Sequence, residues 1–202
     1  MTKDELAAAN VMAKTYNPSI KVVMKSEHWI GRFLANLGMA MLTAITLGIG
    51  GLGKKWKENF LSNYSSTIGH LVLLSDNMTP SSFVLLIPHE ARHVTQYKFF
   101  GFWIHPAVGF PIMTLVYAFL PVPIFGAFFR THLEMDADRQ KWKYILKKYG
   151  VSPAIIRWLK ERTNSFAEKV SGSMYFFSTP KAFTKWYFNR KLNKVINEAV
   201  QG

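Results

Sequence analysis

Two histidines and a glutamate fall in one pentad, His89-Glu90-Ala91-Arg92-His93. On an α-helix, residues i and i+4 share a face about one turn apart, so both imidazoles can reach one metal ion. Zn2+ favours nitrogen donors of this kind; a catalytic zinc takes three protein ligands and leaves a fourth position to water. Glu90, one step round the helix, falls beside that water and suits the role of general base. With 6 His in 202 residues, chance alone supplies roughly 0.007 such pentads per chain.

A second pair lies downstream in Glu134-Met135-Asp136-Ala137-Asp138. Glu134 and Asp138 are again i and i+4 on what reads as a helix. One carboxylate can serve as third ligand, while the other, one turn on, accepts a hydrogen bond from a ligating histidine. The competing reading is an ordinary helix carrying two unrelated histidines, and the pairing of the two motifs argues against it.

The sequence H-E-x-x-H followed by E-x-x-x-D resembles the gluzincin group of zinc metallopeptidases. The run Arg130-Thr131-His132-Leu133-Glu134-Met135-Asp136-Ala137-Asp138-Arg139 resembles the third-ligand helix of the HtpX-like and CAAX-prenyl endopeptidases, in which a hydrophobic insert also separates the motifs. His93-Val94-Thr95-Gln96 is similar to the peptidase-type domain carried by contractile injection systems. The likeness covers about residues 67–140. The insert here is shorter than the membrane hairpin of the HtpX-like enzymes, and no family substrate motif is evident.

The expectation is a mainly α (α+β) single domain over residues 1–202. It would be a zincin-like core with a short edge strand and a hydrophobic insert between the two metal-binding helices. His89, His93 and Glu134 would hold Zn2+, Asp138 would orient a histidine, and Glu90 would activate water for hydrolysis of a protein or peptide substrate. Such chemistry also needs a donor for the developing oxyanion, for which Tyr175, Tyr144, His105 and Tyr97 are the candidates. One alternative is a zincin fold kept as a structural or binding component of a larger assembly. Another is a membrane-active cationic protein whose pentad is accidental.

Composition bounds these readings. Hydrophobic content of 49% with 18% charged residues excludes a disordered chain. The absence of cysteine excludes disulfides and thiolate metal sites. Met1-Thr2-Lys3-Asp4-Glu5-Leu6 does not read as a secretory signal, which leaves a cytoplasmic, membrane-associated or particle-bound location open. The net charge is +13, and residues 139–202 hold 14 Lys and Arg against 3 Asp and Glu, so +11 of it sits in a basic helical tail. That field suits an anionic membrane surface or a protein assembly as well as a plain solvated face. No nucleic-acid module is recognisable, which argues against nucleic acid.

The remaining elements must position the pentad. Residues 2–16 read as a helix closed by Asn17-Pro18, and Ile20 to Met24 as a brief strand. Phe33 to Gly53 is a 21-residue stretch without formal charge, flanked by Arg32 and Lys54-Lys55-Trp56-Lys57. Its length suits a membrane span, but Gly38, Gly48, Gly50, Gly51 and Gly53 favour burial or membrane contact instead. Thr67 to Leu74 reads as one strand, the edge strand of the resemblance, and His70 within it is assigned no catalytic role. Thr79-Pro80 starts the pentad helix, Pro88 should kink or restart it, and Gly101 can end it. Gln96 and Tyr97 extend the pentad's face by another turn, which leaves contact with the site open for both, with packing against the core as the expected role.

Phe99 to Phe129 carries no formal charge across 31 residues and holds Pro106, Pro111, Pro121 and Pro123. Its ends bear the ligands, so a single traverse of a bilayer would separate them, and two traverses need about 40 residues. A dipping hairpin, a cap or a partner-facing segment remains. Helices are expected over 133–149, ending at Gly150, and from Ser152-Pro153 towards Val170. A final basic-aromatic helix begins at Pro180.

Overall fold

Thr2 starts the first helix by reciprocal capping: its hydroxyl accepts from the Glu5 N–H (3.2 Å) and the Glu5 carboxylate accepts from the Thr2 N–H (2.7 Å). Helix α1 (Lys3–Tyr16) ends where Asn17, ahead of Pro18, turns extended. The computed structural model describes residues 1–45, 51–100, 123–171 and 179–201. Among these the chain is mainly helical with one three-stranded sheet. Its contacts divide it into two compact units, Met1–Val84 and Leu85–Gly202.

In the first unit, β1 (Lys21–Met24) pairs in parallel with β3 (Leu71–Leu74), and β2 (Ser66–Ile68) pairs antiparallel with the other side of β3. All four β3 residues are buried, as expected of a central strand covered on both faces. The single strand expected over Thr67–Leu74 is therefore a hairpin. Gly69, at φ 59°, turns the chain between its two arms, a conformation open to glycine at no Cβ cost. Lys21 and Lys25 donate their N–H groups towards β3, so Val22 faces the outer edge of the sheet. There the Asn10 side chain takes a neighbouring strand's place: Nδ2 donates to the Val22 carbonyl and Oδ1 accepts from its N–H, both at 2.8 Å.

Residues 46–50 of the apolar stretch 33–53 lie outside the described residues, and its two ends belong to helices α2 (Trp29–Ile45) and α3 (Leu52–Asn63), packed on one another. Its glycines have a packing reason: a Cβ on Gly38 would overlap the Trp56 ring, and one on Gly53 would overlap Met39 and Thr43. Gly51, at φ 62°, precedes α3 in the left-handed conformation. Lys25 is fully buried at the far end of α3. Its ammonium donates to the Phe60 and Tyr64 carbonyls and to Ser66 Oγ, and lies 3.7 Å from the Phe60 ring centroid. A cation there neutralises the negative end of the helix.

Helix α4 (Pro80–Phe100) carries the pentad. Thr79 accepts the Ser82 N–H as its N-cap, and the helix runs on through Pro88 rather than restarting there. Helix α5 (Pro123–Tyr149) begins ten residues before the expected Leu133, because its first turns are written in the apolar residues assigned to the insert. The rest of the expected insert, residues 101–122, lies outside the described residues, as does the Gly101 terminus. No described helix is long and apolar enough to cross a membrane. Gly150, at φ 76°, closes α5. Helix α6 (Pro153–Val170) starts from the Ser152 cap and α7 (Lys181–Gln201) follows Pro180. Trp142, Ile145, Leu159, Phe188, Leu192 and Val195 form the core that joins α5, α6 and α7.

Replacing Asn10 by Ala leaves both Val22 backbone groups without this partner and should cost about 1–3 kcal/mol. Urea denaturation of the two proteins measures it; equal midpoints and slopes would refute the edge-sealing role.

Candidate metal centre

His89 and His93 stand one turn apart on α4, and α5 brings Glu134 and Asp138 to them. The two Nε2 atoms are 3.1 Å apart, and Glu134 Oε2 is 3.5 Å from each. A tetrahedral ion with ligand bonds of about 2.0–2.1 Å separates its donor atoms by about 3.3 Å. The triangle therefore has the size such an ion requires. Two imidazoles and one carboxylate also suit a borderline transition metal better than calcium or magnesium, which prefer all-oxygen sets.

Both imidazoles are held from behind. His89 Nδ1 is 3.1 Å from Asp138 Oδ1, and a carboxylate can only accept, so Nδ1 carries a proton and, in the neutral ring, Nε2 presents its lone pair. His93 Nδ1 is 2.9 Å from Gln96 Oε1. The Gln96 amide is oriented by its other end, where Nε2 donates to the Leu133 carbonyl and to Asp136 Oδ2, each at 3.1 Å. Asp136 in turn accepts from Arg92 Nε at 2.6 Å. Gln96 thus does for His93 what Asp138 does for His89. Sequence reasoning gave Gln96 a packing role and Asp136 none; the signal was the i, i+3 spacing of His93 and Gln96.

Electrostatics follow from burial. Burial alone would lower the His89 pKa, but its hydrogen bonds to Asp138 and Glu134, with the charges of Asp138 and Glu90, outweigh it and raise the value to about 10. His93 is raised too, burial being overcome by Glu134 and Glu90. Burial opposes ionisation of Glu134, yet the two imidazoles hold its carboxyl well below the usual range. For Asp136 the same opposition is overcome by Arg92 and Gln96, and its pKa is lowered. Glu90 is itself buried, and its charge acts on both imidazoles. The cluster gathers carboxylates around two imidazoles whose Nε2 atoms point inward, an arrangement that can hold a cation once the imidazole protons are displaced. Phe166 stands edge-on to His89, with ring centroids 5.7 Å apart, as an apolar wall.

The oxyanion candidates separate. Tyr97, half-buried, is one turn beyond His93 on α4. Tyr144 lies ten residues past Glu134 on α5, about 15 Å along the axis, where it packs against the helical core with Lys148 over its ring. The structure does not bring it to the site. His105 and Tyr175 lie outside the described residues. Comparison of the chain with protein-family models, with curated proteins and with solved structures finds no match.

If Gln96 and Asp138 hold the imidazoles in place, Gln96→Leu should weaken zinc affinity about 10–100-fold, as should Asp138→Asn. Chelator competition reads the change, and circular dichroism checks that the helices persist. An imidazole must lose its proton to bind a metal, so the raised pKa of His89 (to about 10) makes binding compete with protons at neutral pH. Affinity should fall as pH falls, by about tenfold per unit for each proton displaced. Calorimetric zinc titration in buffers of different ionisation enthalpy should show net proton release, and its absence would contradict the protonation scheme.

Proposed function

We propose that the protein is a zinc-dependent metallopeptidase of the gluzincin type. The observation that carries this reading is the donor triangle of His89, His93 and Glu134, with the rear nitrogen of each histidine held by a hydrogen-bonding partner. Zinc held by these three residues would supply an acidified water and polarise the carbonyl of the scissile peptide bond.

The chain's own residues supply the rest. Glu90 is adjacent to a ligand in sequence, buried, and close enough for its charge to reach both imidazoles. Hydrolysis adds water across the C–N bond: the oxygen goes to the carbonyl carbon, and a proton must reach the departing nitrogen. A Glu90 carboxylate oxygen takes that proton and delivers it, acting as base and then as acid. Asp138 and Gln96 keep the lone pairs of His89 and His93 directed at the ligand position, so little reorganisation accompanies the reaction. Burial of the carboxylates keeps bulk water from screening their charges.

Elemental analysis of protein purified without added metal, followed by a casein or peptide-library assay, tests the reading. Glu90→Gln should retain zinc and lose about 10²–10⁴-fold in turnover, whereas His93→Ala should lose both zinc and turnover. Equal turnover in Glu90→Gln and the parent protein would remove Glu90 as the base. Full zinc occupancy with no cleavage of any peptide would favour a binding role for the same centre.

A further inference from the structure

In a water-soluble helix pair, large apolar side chains point inward and small or polar ones outward. Helix α2 keeps large apolar side chains on its outward face as well. The side facing α3 carries Gly38, against Trp56, and buried Ala35. Its outer face carries Trp29, Phe33, Leu37, Ala40 and Ala44, all exposed, and the 3.6-residue period sets these five in one stripe along the helix. The bulk of the stripe is a ridge of three large side chains over the first turns. Trp29 is 65%, Phe33 57% and Leu37 44% exposed, and the three adjoin one another instead of being scattered singly. Large apolar side chains gathered along the outward face of a helix are the pattern of one lying in a membrane interface.

Between the flanking Glu27 and Glu58 the charges along the helix pair are all cationic. From Trp29 to Lys57 the chain has Arg32, Lys54, Lys55 and Lys57 and no Asp or Glu. Because Gly38 meets Trp56 and Gly53 meets Met39 and Thr43, the two helices run antiparallel. This sets Arg32 near one end of the stripe and exposed Lys54 and Lys55 near the other. Tryptophan, phenylalanine and leucine are the residues that in-plane helices bury at the boundary of headgroups and acyl chains. With 17 residues, α2 is shorter than the roughly 20 that a span needs.

We propose that α2 lies flat in the surface of an anionic phospholipid bilayer, its Trp29–Phe33–Leu37 ridge among the acyl chains and Arg32, Lys54 and Lys55 on the headgroup phosphates. This surface is independent of the metal centre, so its test stands whether or not the protein hydrolyses peptides.

The chain has no cysteine, so Leu37→Cys gives a unique attachment point for an environment-sensitive fluorophore, and Val11→Cys on α1 gives an exposed control. With full-length protein, the Leu37→Cys probe should shift to the blue on phosphatidylcholine vesicles containing phosphatidylglycerol. It should be quenched by spin-labelled acyl chains, while the Val11→Cys probe stays as in water. Phe33→Asp, an exposed change whose folding a thermal melt verifies, should abolish co-flotation. Lys54→Glu with Lys55→Glu should lower it at least about tenfold. The proposal is overturned if Phe33→Asp floats as the parent does, or if both probes respond alike. It is also overturned if the Leu37→Cys probe is already shielded without vesicles and light scattering reports a dimer, since a second copy would then cover the face.

Discussion

Four carboxylates and two imidazoles are packed where α4 meets α5, and an unpaired charge in such a place costs several kcal/mol. Every element near the centre bears the mark of that constraint. Glu134 is answered by both histidines, Asp138 by His89 and Lys141, and Asp136 by Arg92 and Gln96. These contacts fix the register of α5 against α4 as a lock does, since turning α5 by one residue would swing its carboxylates away from their partners. The apolar core that α5 builds with α6 and α7 holds α5 in place while its middle turns carry Glu134, Asp136 and Asp138 to their polar partners. Burial, tautomer and ligand geometry are therefore consequences of one packing decision.

What the sequence revealed was what is written locally. Thr79-Pro80, Gly150, Ser152-Pro153 and Asn17-Pro18 are helix boundaries whose physics lies within a few residues of chain, and the structure has them at those places. The convergence of His89, His93 and Glu134 was legible because two i, i+4 pairs on separate helices make sense together at one ion. The chemistry beyond that convergence is the part that rests on resemblance.

What the sequence concealed depends on residues far apart in the chain. Gln96 becomes informative once Leu133 and Asp136 are known to face it, and Lys25 reads as an ordinary surface lysine until Phe60, Tyr64 and Ser66 surround it. The aliphatic run ending at Leu74 hides a reversal because strand propensity is strong on both sides of one permissive glycine. The glycines of residues 33–53 argued against a membrane span on composition, and the reason two of them are there, close contact between α2 and α3, needed both helices in view.

The Asn10 clamp also gives the sheet a direction. One border is closed by a side chain that mimics a strand but has no further backbone to offer, while β2, three residues long, forms the other. A strand from another molecule therefore finds no free backbone partner at Val22. A single side chain in this way protects the β1 border against edge-to-edge association.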